Sequence, residues 1–358
     1  MRILHTIRQL DVGGAPTVVL ALAKEQIRQG HSVAICANRP DAFDNAARGL
    51  GIPVYHFRMP SRRSWPTAEM VRFLEEKSFD VVNAHWAVWF PTAVACRKAR
   101  VPCVLTYHDN ESRRHFLPDR IASMLSSKVV IISPSLPSYV KYYVGTPRRK
   151  LAMIPNGIDT NGLATVEPAS FPGIPDSAVI VGMIARMSPP KDYATFINAC
   201  HLIHKDHAAI HFVAVGDGRS RESLQATAKS LGLDGRLHFL GARTDVPSII
   251  RRLTVAVLSS YNEGMPMSLL EAMAAGCPTV GSDVPSIRWL LDGGKAGVLF
   301  RVGDPQSLAD AINRLLESED NRRSFMQQAT CRVQEFSLEK IVTKYTALYE
   351  MCSSAAMS

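Results

Sequence analysis

The sequence predicts an α/β protein with two domains, each organised around a parallel, doubly wound sheet. Short apolar strands alternate with helical segments along residues 1–166, and the same alternation starts again after residue 177. The segment between these runs, 167–176, contains three prolines and a glycine, a composition typical of a linker. We expect a first domain over 1–166, a second over 177–336, and a tail helix over 337–352 that the second sheet does not need.

In the first domain, the elements follow from apolar periodicity bounded by turn residues. The first strand is followed by a glycine turn and then by apolar residues at helical spacing, which Gly30 closes. The predicted strands are 2–7, 32–36, 53–57, 80–83, 103–106 and 128–132, and the predicted helices are 16–29, 67–77, 90–98 and 114–126.

In the second domain, the last predicted helix begins with Asp304 as N-cap and Pro305 at the first helical position. Pro189 and Pro190 make the segment before residue 191 a loop rather than a helix. The predicted strands are 178–184, 210–215, 237–240, 255–258, 279–281 and 298–300, and the predicted helices are 191–206, 219–231, 266–275 and 305–318.

Positive charge is concentrated in the first half of the chain. The formal net charge is +9, and residues 1–165 alone carry 22 Lys and Arg against 12 Asp and Glu. The basic clusters are either solvated loops or a surface for an anionic membrane or an acidic acceptor. No nucleic-acid-binding motif accompanies them, which disfavours nucleic acid as a partner. The clusters lie at 62–63, 97–100, 113–114 and 148–150.

Cysteine usage and hydropathy indicate the cellular compartment in which the protein is found. Seven scattered cysteines without a CxxC pair are typical of reduced thiols, without a disulfide framework or a zinc site. The N-terminus lacks the apolar core of a signal peptide, and no apolar run approaches membrane-spanning length. We therefore expect a cytoplasmic protein, and the basic clusters leave peripheral contact with the inner membrane face open.

One stretch, EGMPMSLLEAMAAGCP at 263–278, has the features of an anion site. Pro266 fits a first helical turn, and Gly276 can end the helix in the left-handed conformation. Because the helix is apolar on most sides, its first N–H groups would lie at a buried, positive dipole end. Glu263 and Glu271 flank this point, either as ligand-binding carboxylates or as a helix cap and a surface ion-pair partner.

Further candidates follow predicted strands of the second domain, where ligands of open parallel sheets bind. Arg186 and Lys191 are two cations suited to a diphosphate, although both could be solvated loop charges. The glycine turn Gly216-Asp217-Gly218 is first a tight turn and second a wall of a ligand site. No D-x-D pair is present to clamp a metal on a diphosphate. A weak metal pattern is formed by His201, His204, His207 and His211.

In the first domain, the candidates also follow predicted strands. Gly13-Gly14 permits close backbone approach to a ligand, although a glycine pair alone is weak support. His85 and His108 are either satisfied structural groups or part of a ligand site. Asp109 and Glu111 are loop acids, with metal binding or a base role as the alternative.

Together, these residues resemble the retaining glycosyltransferases of family 4, which have the GT-B fold of two facing Rossmann-like domains with a cleft between them. Glu263 and Glu271 match the E-x7-E motif of that family, and GMIARMSPPKD at 182–192 resembles its G-R-L-x-x-x-K-G loop. Met187 replaces the usual leucine and Asp192 stands where glycine is common, and both cations remain. Four further motifs occur in the same order along the chain as in that family: GG at 13–14, IPNGID at 154–159, GDG at 216–218 and HFLG at 238–241.

The resemblance implies separate tasks for the candidate residues. Arg186 and Lys191 would neutralise the donor diphosphate, Glu271 would hold the ribose and Glu263 the transferred sugar. The catalytic residues would be Arg186, Lys191, Glu263 and His108. The tail helix would cross back to the first domain. The acceptor side would comprise Gly13, Gly14, His85 and His108. The donor site would further include Gly14, Gly216, Asp217, the Arg243 backbone beside the base, Gly264, Met265, Met267, Ser268 and Leu269.

The activity implied by this resemblance is transfer, with retention and without a metal or other cofactor, of a hexosyl or N-acetylhexosaminyl group to an acceptor hydroxyl. The donor would be a nucleotide-diphosphate sugar, with a UDP-sugar preferred to a GDP-sugar, and the acceptor a glycan or a lipid-linked glycan of bacterial-type surface polysaccharide or glycolipid assembly. Electrostatic stabilisation of the leaving diphosphate would do most of the work, and domain closure would exclude water. The alternatives are a non-catalytic nucleotide-sugar-binding regulator and a nucleotide-sugar epimerase or hydrolase of the same fold.

Overall fold

The protein folds into two compact units, each with an α/β architecture. The first comprises Met1–Gly157 and Leu338–Ser358, and the second comprises Ile158–Ser337. The computed structural model describes residues 1–8, 14–40, 43–57, 68–85, 88–108, 116–135, 140–141, 144–160 and 162–357.

The first unit is built on a parallel sheet whose strands alternate with helices along the chain. Its order is β3-β2-β1-β4-β5-β6-β7, so the winding direction reverses between β1 and β4. Its strands are β1 (Arg2–Thr6), β2 (Ser32–Ala37), β3 (Val54–His56), β4 (Val81–His85), β5 (Cys103–Tyr107), β6 (Lys128–Ile131) and β7 (Leu151–Met153). Its helices before residue 158 are α1 (Gly14–Arg28), α2 (Phe43–Gly49), α3 (Ala68–Lys77), α4 (Trp89–Ala99) and α5 (Phe116–Leu125).

The second unit repeats this organisation. Its parallel sheet has the order β10-β9-β8-β11-β12-β13, and the winding reverses between β8 and β11. Its strands are β8 (Ile180–Ile184), β9 (His211–Val215), β10 (Leu237–Gly241), β11 (Val255–Leu258), β12 (Thr279–Ser282) and β13 (Val298–Phe300). Its helices are α6 (Tyr193–Asp206), α7 (Arg221–Ser230), α8 (Val246–Arg252), α9 (Met267–Ala274), α10 (Pro285–Leu290), α11 (Pro305–Glu317) and α12 (Glu319–Val333).

The tail forms α13 (Leu338–Met357), which belongs to the first unit as expected. Its residues Tyr345 and Tyr349 are buried, and the Asn83 side-chain amide on β4 donates to the Tyr349 hydroxyl at 2.7 Å. Across the described ranges, no helix has both the length and the hydropathy needed to cross a membrane.

The interpretation of 167–176 as a linker is wrong, because the segment lies inside the second unit. Phe171 and Ile174 are buried in the core of that unit, and the Ala169 N–H donates to the Ser248 carbonyl at 2.9 Å. The prolines set the local turns, and the two apolar side chains between them anchor the segment to the sheet-and-helix core.

Several elements differ from expectation. The predictions from sequence did not include β7, α2, α8, α10 and α12. The segment Pro189–Lys191, expected as a loop, forms a single turn of 3-10 helix. A 3-10 turn tolerates proline in its first positions, where no backbone donor is required.

Candidate functional site

The loops after β8, β9 and β11 meet at the point where the winding of the second sheet reverses, since β8 pairs with both β9 and β11. In an open parallel sheet this position opens a crevice at the carboxyl ends of the strands. Hydrogen bonds join the loops: the Tyr261 N–H donates to the Pro190 carbonyl at 2.9 Å, and the Ser259 hydroxyl donates to the Asp192 carbonyl at 2.9 Å. The predicted donor-site residues in these loops therefore lie along one edge of the second sheet.

Lys191 and Glu263, which are 72 residues apart in the chain, form an ion pair at this edge. The Lys191 Nζ lies 2.5 Å from Glu263 Oε1, and the Ser260 hydroxyl donates to the same oxygen at 2.5 Å. Glu263 is 7% exposed. A carboxylate in this position requires compensation, which the ammonium and the hydroxyl provide. The helix-cap alternative for Glu263 is wrong, because the N-cap position of α9 is Pro266 and no side chain caps it.

Arg186 differs from Lys191 in its surroundings. Its side chain is exposed and has no hydrogen-bond or ion-pair partner within the part of the chain that the structure describes. The backbone next to it is fixed, because the buried Met187 donates its N–H to the Asp217 carbonyl at 2.9 Å. A guanidinium on a fixed backbone, open to solvent, is suited to binding an anion.

The turn Gly216-Asp217-Gly218 packs directly against the Arg186 loop. A Cβ on Gly216 would lie 2.0 Å from the Ala185 carbonyl oxygen, and a Cβ on Gly218 would lie 2.3 Å from the Met187 carbonyl oxygen. Both glycines also have positive φ angles, of 132° and 157°. These positions therefore require glycine for backbone packing, which agrees with the first of the two interpretations made from sequence.

The amino end of α9 points into the same edge. The first helical bond runs from the Leu270 N–H to the Pro266 carbonyl at 3.1 Å, so the Ser268 and Leu269 N–H groups have no acceptor within the helix. Glu271, one turn further, is half-buried, and burial raises its carboxyl pKa to about 7. A surface ion pair for Glu271 is not observed among the described residues, so that alternative is not supported.

The remaining predicted donor-site residues lie on the same sheet edge or close to it. Gly264 and Met265 are buried, and Met267 is half-buried. Asp217 accepts from Arg221 at 2.9 Å, and hydrogen bonds from the Gly218 N–H and from Arg221 lower its carboxyl pKa. Arg243 pairs with Asp245 at 2.6 Å, so its guanidinium is engaged and only its backbone remains for a base.

The histidine metal pattern is not supported by the geometry, because the His201 and His211 rings have other partners. The His201 ring bonds to the Leu231 carbonyl at 2.8 Å, and the His211 ring bonds to the His238 ring at 3.2 Å. No group of three or more metal-ligating side chains is found in the ranges that the structure describes.

In the first unit, His85 and His108 lie at the ends of neighbouring strands and contact each other. Their ring nitrogens are 2.9 Å apart, and His85 bonds in turn to His5 at 2.9 Å. Gly14 is the first residue of α1, and a Cβ at this position would have no atom within 4 Å. Gly13, Asp109 and Glu111 lie outside the described residues.

Sequence reasoning missed His5, Gln26 and Ser260. Ser260 could have been noticed as a polar residue three positions before Glu263, a spacing that suits a side-chain contact. His5 is a polar residue that directly follows the apolar Ile3 and Leu4 in β1, and a polar side chain in a buried strand is itself a signal for a specific partner. Gln26 carried no such signal, because it lies in a helix with other polar residues near its end.

Comparison with known proteins identifies the family of the chain. The profile of the family described as Glycosyltransferase Family 4 matches residues 12–161, and the profile described as Glycosyl transferases group 1 matches residues 169–332. The chain is 27% identical to the UDP-Gal:α-D-GlcNAc-diphosphoundecaprenol α-1,3-galactosyltransferase of Escherichia coli, with 86% of this chain and 85% of the other covered. It is 25% identical to the N-acetyl-α-D-glucosaminyl L-malate synthase of Bacillus anthracis, with 95% and 94% covered.

Solved structures give the same fold. The crystal structure of HepE from Anabaena in complex with UDP superposes with a TM-score of 0.83 at 24% identity, covering 98% of this chain and 100% of HepE. The two family profiles together span most of the chain, and the structural match extends over nearly all of it. The chain therefore belongs to the family 4, group 1 glycosyltransferases, with the GT-B fold.

Proposed function

We propose that this glycosyltransferase transfers a sugar from a UDP-sugar to a hydroxyl of a glycan or lipid-linked acceptor, with retention and without a metal ion. The proposal depends mainly on one observation: an exposed Arg186, the Lys191–Glu263 pair and the uncapped amino end of α9 lie along one edge of the second sheet. UDP in the HepE structures and the UDP-galactose in the name of the Escherichia coli relative favour uridine as the base.

Each group has a task that its environment supports. Arg186 and two of the three Lys191 donors would bind the diphosphate, while the third Lys191 donor stays on Glu263. The Ser268 and Leu269 N–H groups would add helix-dipole stabilisation to the leaving diphosphate. The Glu263 carboxylate would accept from a hydroxyl of the transferred sugar, and Glu271 would accept from the ribose hydroxyls. In the first unit, Gly14, His85 and His108 would serve the acceptor side.

Ligand-induced stabilisation tests the donor assignment. A ligand at about 100 times its Kd stabilises a protein by about 2.7 kcal/mol, which raises the melting temperature measurably. We expect UDP and a UDP-sugar to raise it, GDP to raise it less, and Arg186→Met to abolish the shift. Arg323→Met, which removes an exposed guanidinium paired within α12, is the matched control and should keep the shift. Equal shifts with UDP for both variants would refute the role of Arg186.

The reaction itself is tested with product analysis. Proton NMR of the anomeric linkage distinguishes retention from inversion, and transfer that persists in EDTA supports metal independence. Conversion of donor without acceptor would instead favour the epimerase or hydrolase alternative. Donor binding without any transfer would favour the regulator.

Contact with an anionic membrane is the second part of the proposal, and α5 supports it. Leu117 and Met124 are 58% and 66% exposed, and Ile121 lies between them on the same helix face. The Lys150 ammonium donates to the Met124 carbonyl at 2.8 Å and to the Ser126 carbonyl at 2.6 Å. These bonds hold the basic segment 148–150 against the carboxyl end of α5.

An apolar stripe beside exposed guanidiniums is typical of a surface that binds anionic lipid. Arg120, Arg148 and Arg149 supply the exposed positive charge on this side. We expect binding to vesicles that contain phosphatidylglycerol, and weaker binding after Met124→Asn. Met351→Asn, at a methionine that is 60% exposed on α13, is the control and should bind normally. Salt-insensitive vesicle binding, or equal loss in both variants, would contradict the proposal.

A further inference from the structure

A continuous row of hydrogen-bonded side chains crosses the first sheet beneath α1. The Gln26 Oε1 on α1 lies 2.8 Å from the His5 Nε2, and the His5 Nδ1 lies 2.9 Å from the His85 Nε2. The His85 Nδ1 lies 2.9 Å from the His108 Nε2. The rings are also in contact, with centroids 5.1 Å and 5.2 Å apart. Both links between histidines therefore join an Nδ1 to the Nε2 of the next ring.

Strand register produces this row. His5 is opposite Asn83 in the pairing of β1 with β4, and His85 is opposite Thr106 in the pairing of β4 with β5. His85 therefore lies two residues beyond the position opposite His5, and His108 lies two residues beyond the position opposite His85. Since side chains alternate faces with a period of two, all three rings lie on one face and step towards the carboxyl edge.

The row is closed to water at one end and open at the other. Gln26, His5 and His85 are fully buried, and His108 is half-buried. Burial lowers the pKa of His5 and of His108 to about 4, and burial together with the neighbouring rings lowers the pKa of His85 well below its usual range. All three imidazoles are therefore neutral at pH 7, and each carries one N–H.

Neutral imidazoles in such a row have to share one tautomer. An amide oxygen only accepts, so the His5 Nε2 carries the proton and its Nδ1 accepts from His85. The same logic makes the His85 Nε2 a donor to His5 and the His108 Nε2 a donor to His85. The Nδ1 of His108 is left as an acceptor, and it has no partner among the residues that the structure describes.

We propose that Gln26, His5 and His85 are positioning residues that hold His108 in its Nε2–H tautomer, so that the His108 Nδ1 accepts a hydrogen bond from a substrate hydroxyl. The Gln26 amide oxygen thus sets the tautomer of His108, although His5 and His85 lie between the two residues. This assignment of a substrate contact rests on the proposed function, whereas the tautomer order of the row does not.

Nitrogen NMR of protein labelled with 15N-histidine tests the row without any substrate. We expect the three rings of the row to show a protonated Nε2 and an unprotonated Nδ1 in the wild-type protein. Gln26→Glu keeps an acceptor and should keep this pattern, whereas Gln26→Met should lose it. Rings with a protonated Nδ1, or an unchanged pattern in Gln26→Met, would overturn the proposal.

Transfer kinetics test the positioning role. Gln26→Met is expected to lower kcat/KM about tenfold, a size typical for residues that orient a functional group, with Gln26→Glu close to wild type. Tyr345→Phe is the control, since it removes a buried hydroxyl on the same face that lies 3.5 Å from Thr106 and leaves the row intact. Equal activity of Gln26→Met and wild type would overturn the positioning role.

The two failures are distinguishable. A wild-type protein with the Nε2–H pattern and no transfer to any acceptor would refute the proposed function and leave the row in place. Melting temperatures and near-ultraviolet circular dichroism of each variant separate a lost tautomer from a lost fold.

Discussion

The Lys191–Glu263 pair provides the sharpest test of how the second unit is stabilised. We consider Lys191→Met, Glu263→Gln and the double variant. In Lys191→Met the Glu263 carboxylate stays buried and loses the ammonium that compensates its charge, while the Ser260 hydroxyl still donates to its Oε1. Breaking a buried pair costs about 3–5 kcal/mol, and we expect about 3 kcal/mol because the Lys191 side chain is 23% exposed and water reaches it.

The reverse change costs less, because Lys191 can turn its ammonium to solvent once the charge of Glu263 is removed. We expect about 1 kcal/mol for Glu263→Gln, with the Ser260 contact retained. The double variant no longer buries an unpaired charge, so its destabilisation should fall about 2 kcal/mol short of the sum.

Hydrogen exchange of amides in β8 and β11, followed by mass spectrometry, reports the free energy of unfolding of the second unit separately from the first. Lys295→Met is the control, because its partner Asp292 is 3.3 Å away and both side chains are more than half exposed. Its effect should stay within about 0.5 kcal/mol. Additive single variants, or an equal loss in the control, would refute a compensated buried pair.

Three further predictions follow from local environments. The folded-state pKa of Glu271 is raised to about 7, so stability falls as pH rises from about 4.5 to about 7, and Glu271→Gln should remove that part of the loss in pH-dependent unfolding. Gly218→Ala should destabilise by more than about 2 kcal/mol, because its Cβ would lie 2.3 Å from a carbonyl oxygen, whereas Gly235→Ala has open space and should cost only about 1 kcal/mol for its positive φ. A thiol reagent should titrate Cys331 at once and the six buried cysteines only on unfolding, so rapid reaction of a second thiol in the native protein would contradict the burial pattern.

Periodicity and turn residues sufficed for most of the fold. The alternation of strands and helices, the helix after Pro266 and the left-handed Gly276 all follow from side-chain chemistry within a few residues, and the structure confirms them. Short elements such as α10, with six residues, and β7, with three, were not predicted, because so few residues do not show a periodic pattern. The proline-rich segment 167–176 was misread, since its core contacts through Phe171 and Ile174 depend on distant partners.

The candidate site, like the fold, was predictable only where local sequence carries the information. The sequence by itself determined which chemical groups stand at strand ends: Arg186, Lys191, Glu263 and the two histidines, because strand ends are read from local pattern. Only the tertiary structure decided which of them touch. The order of strands in each sheet brings Lys191 to Glu263 across 72 residues and His5 to His85 across 80, and that order is set by long-range packing, which no local pattern records.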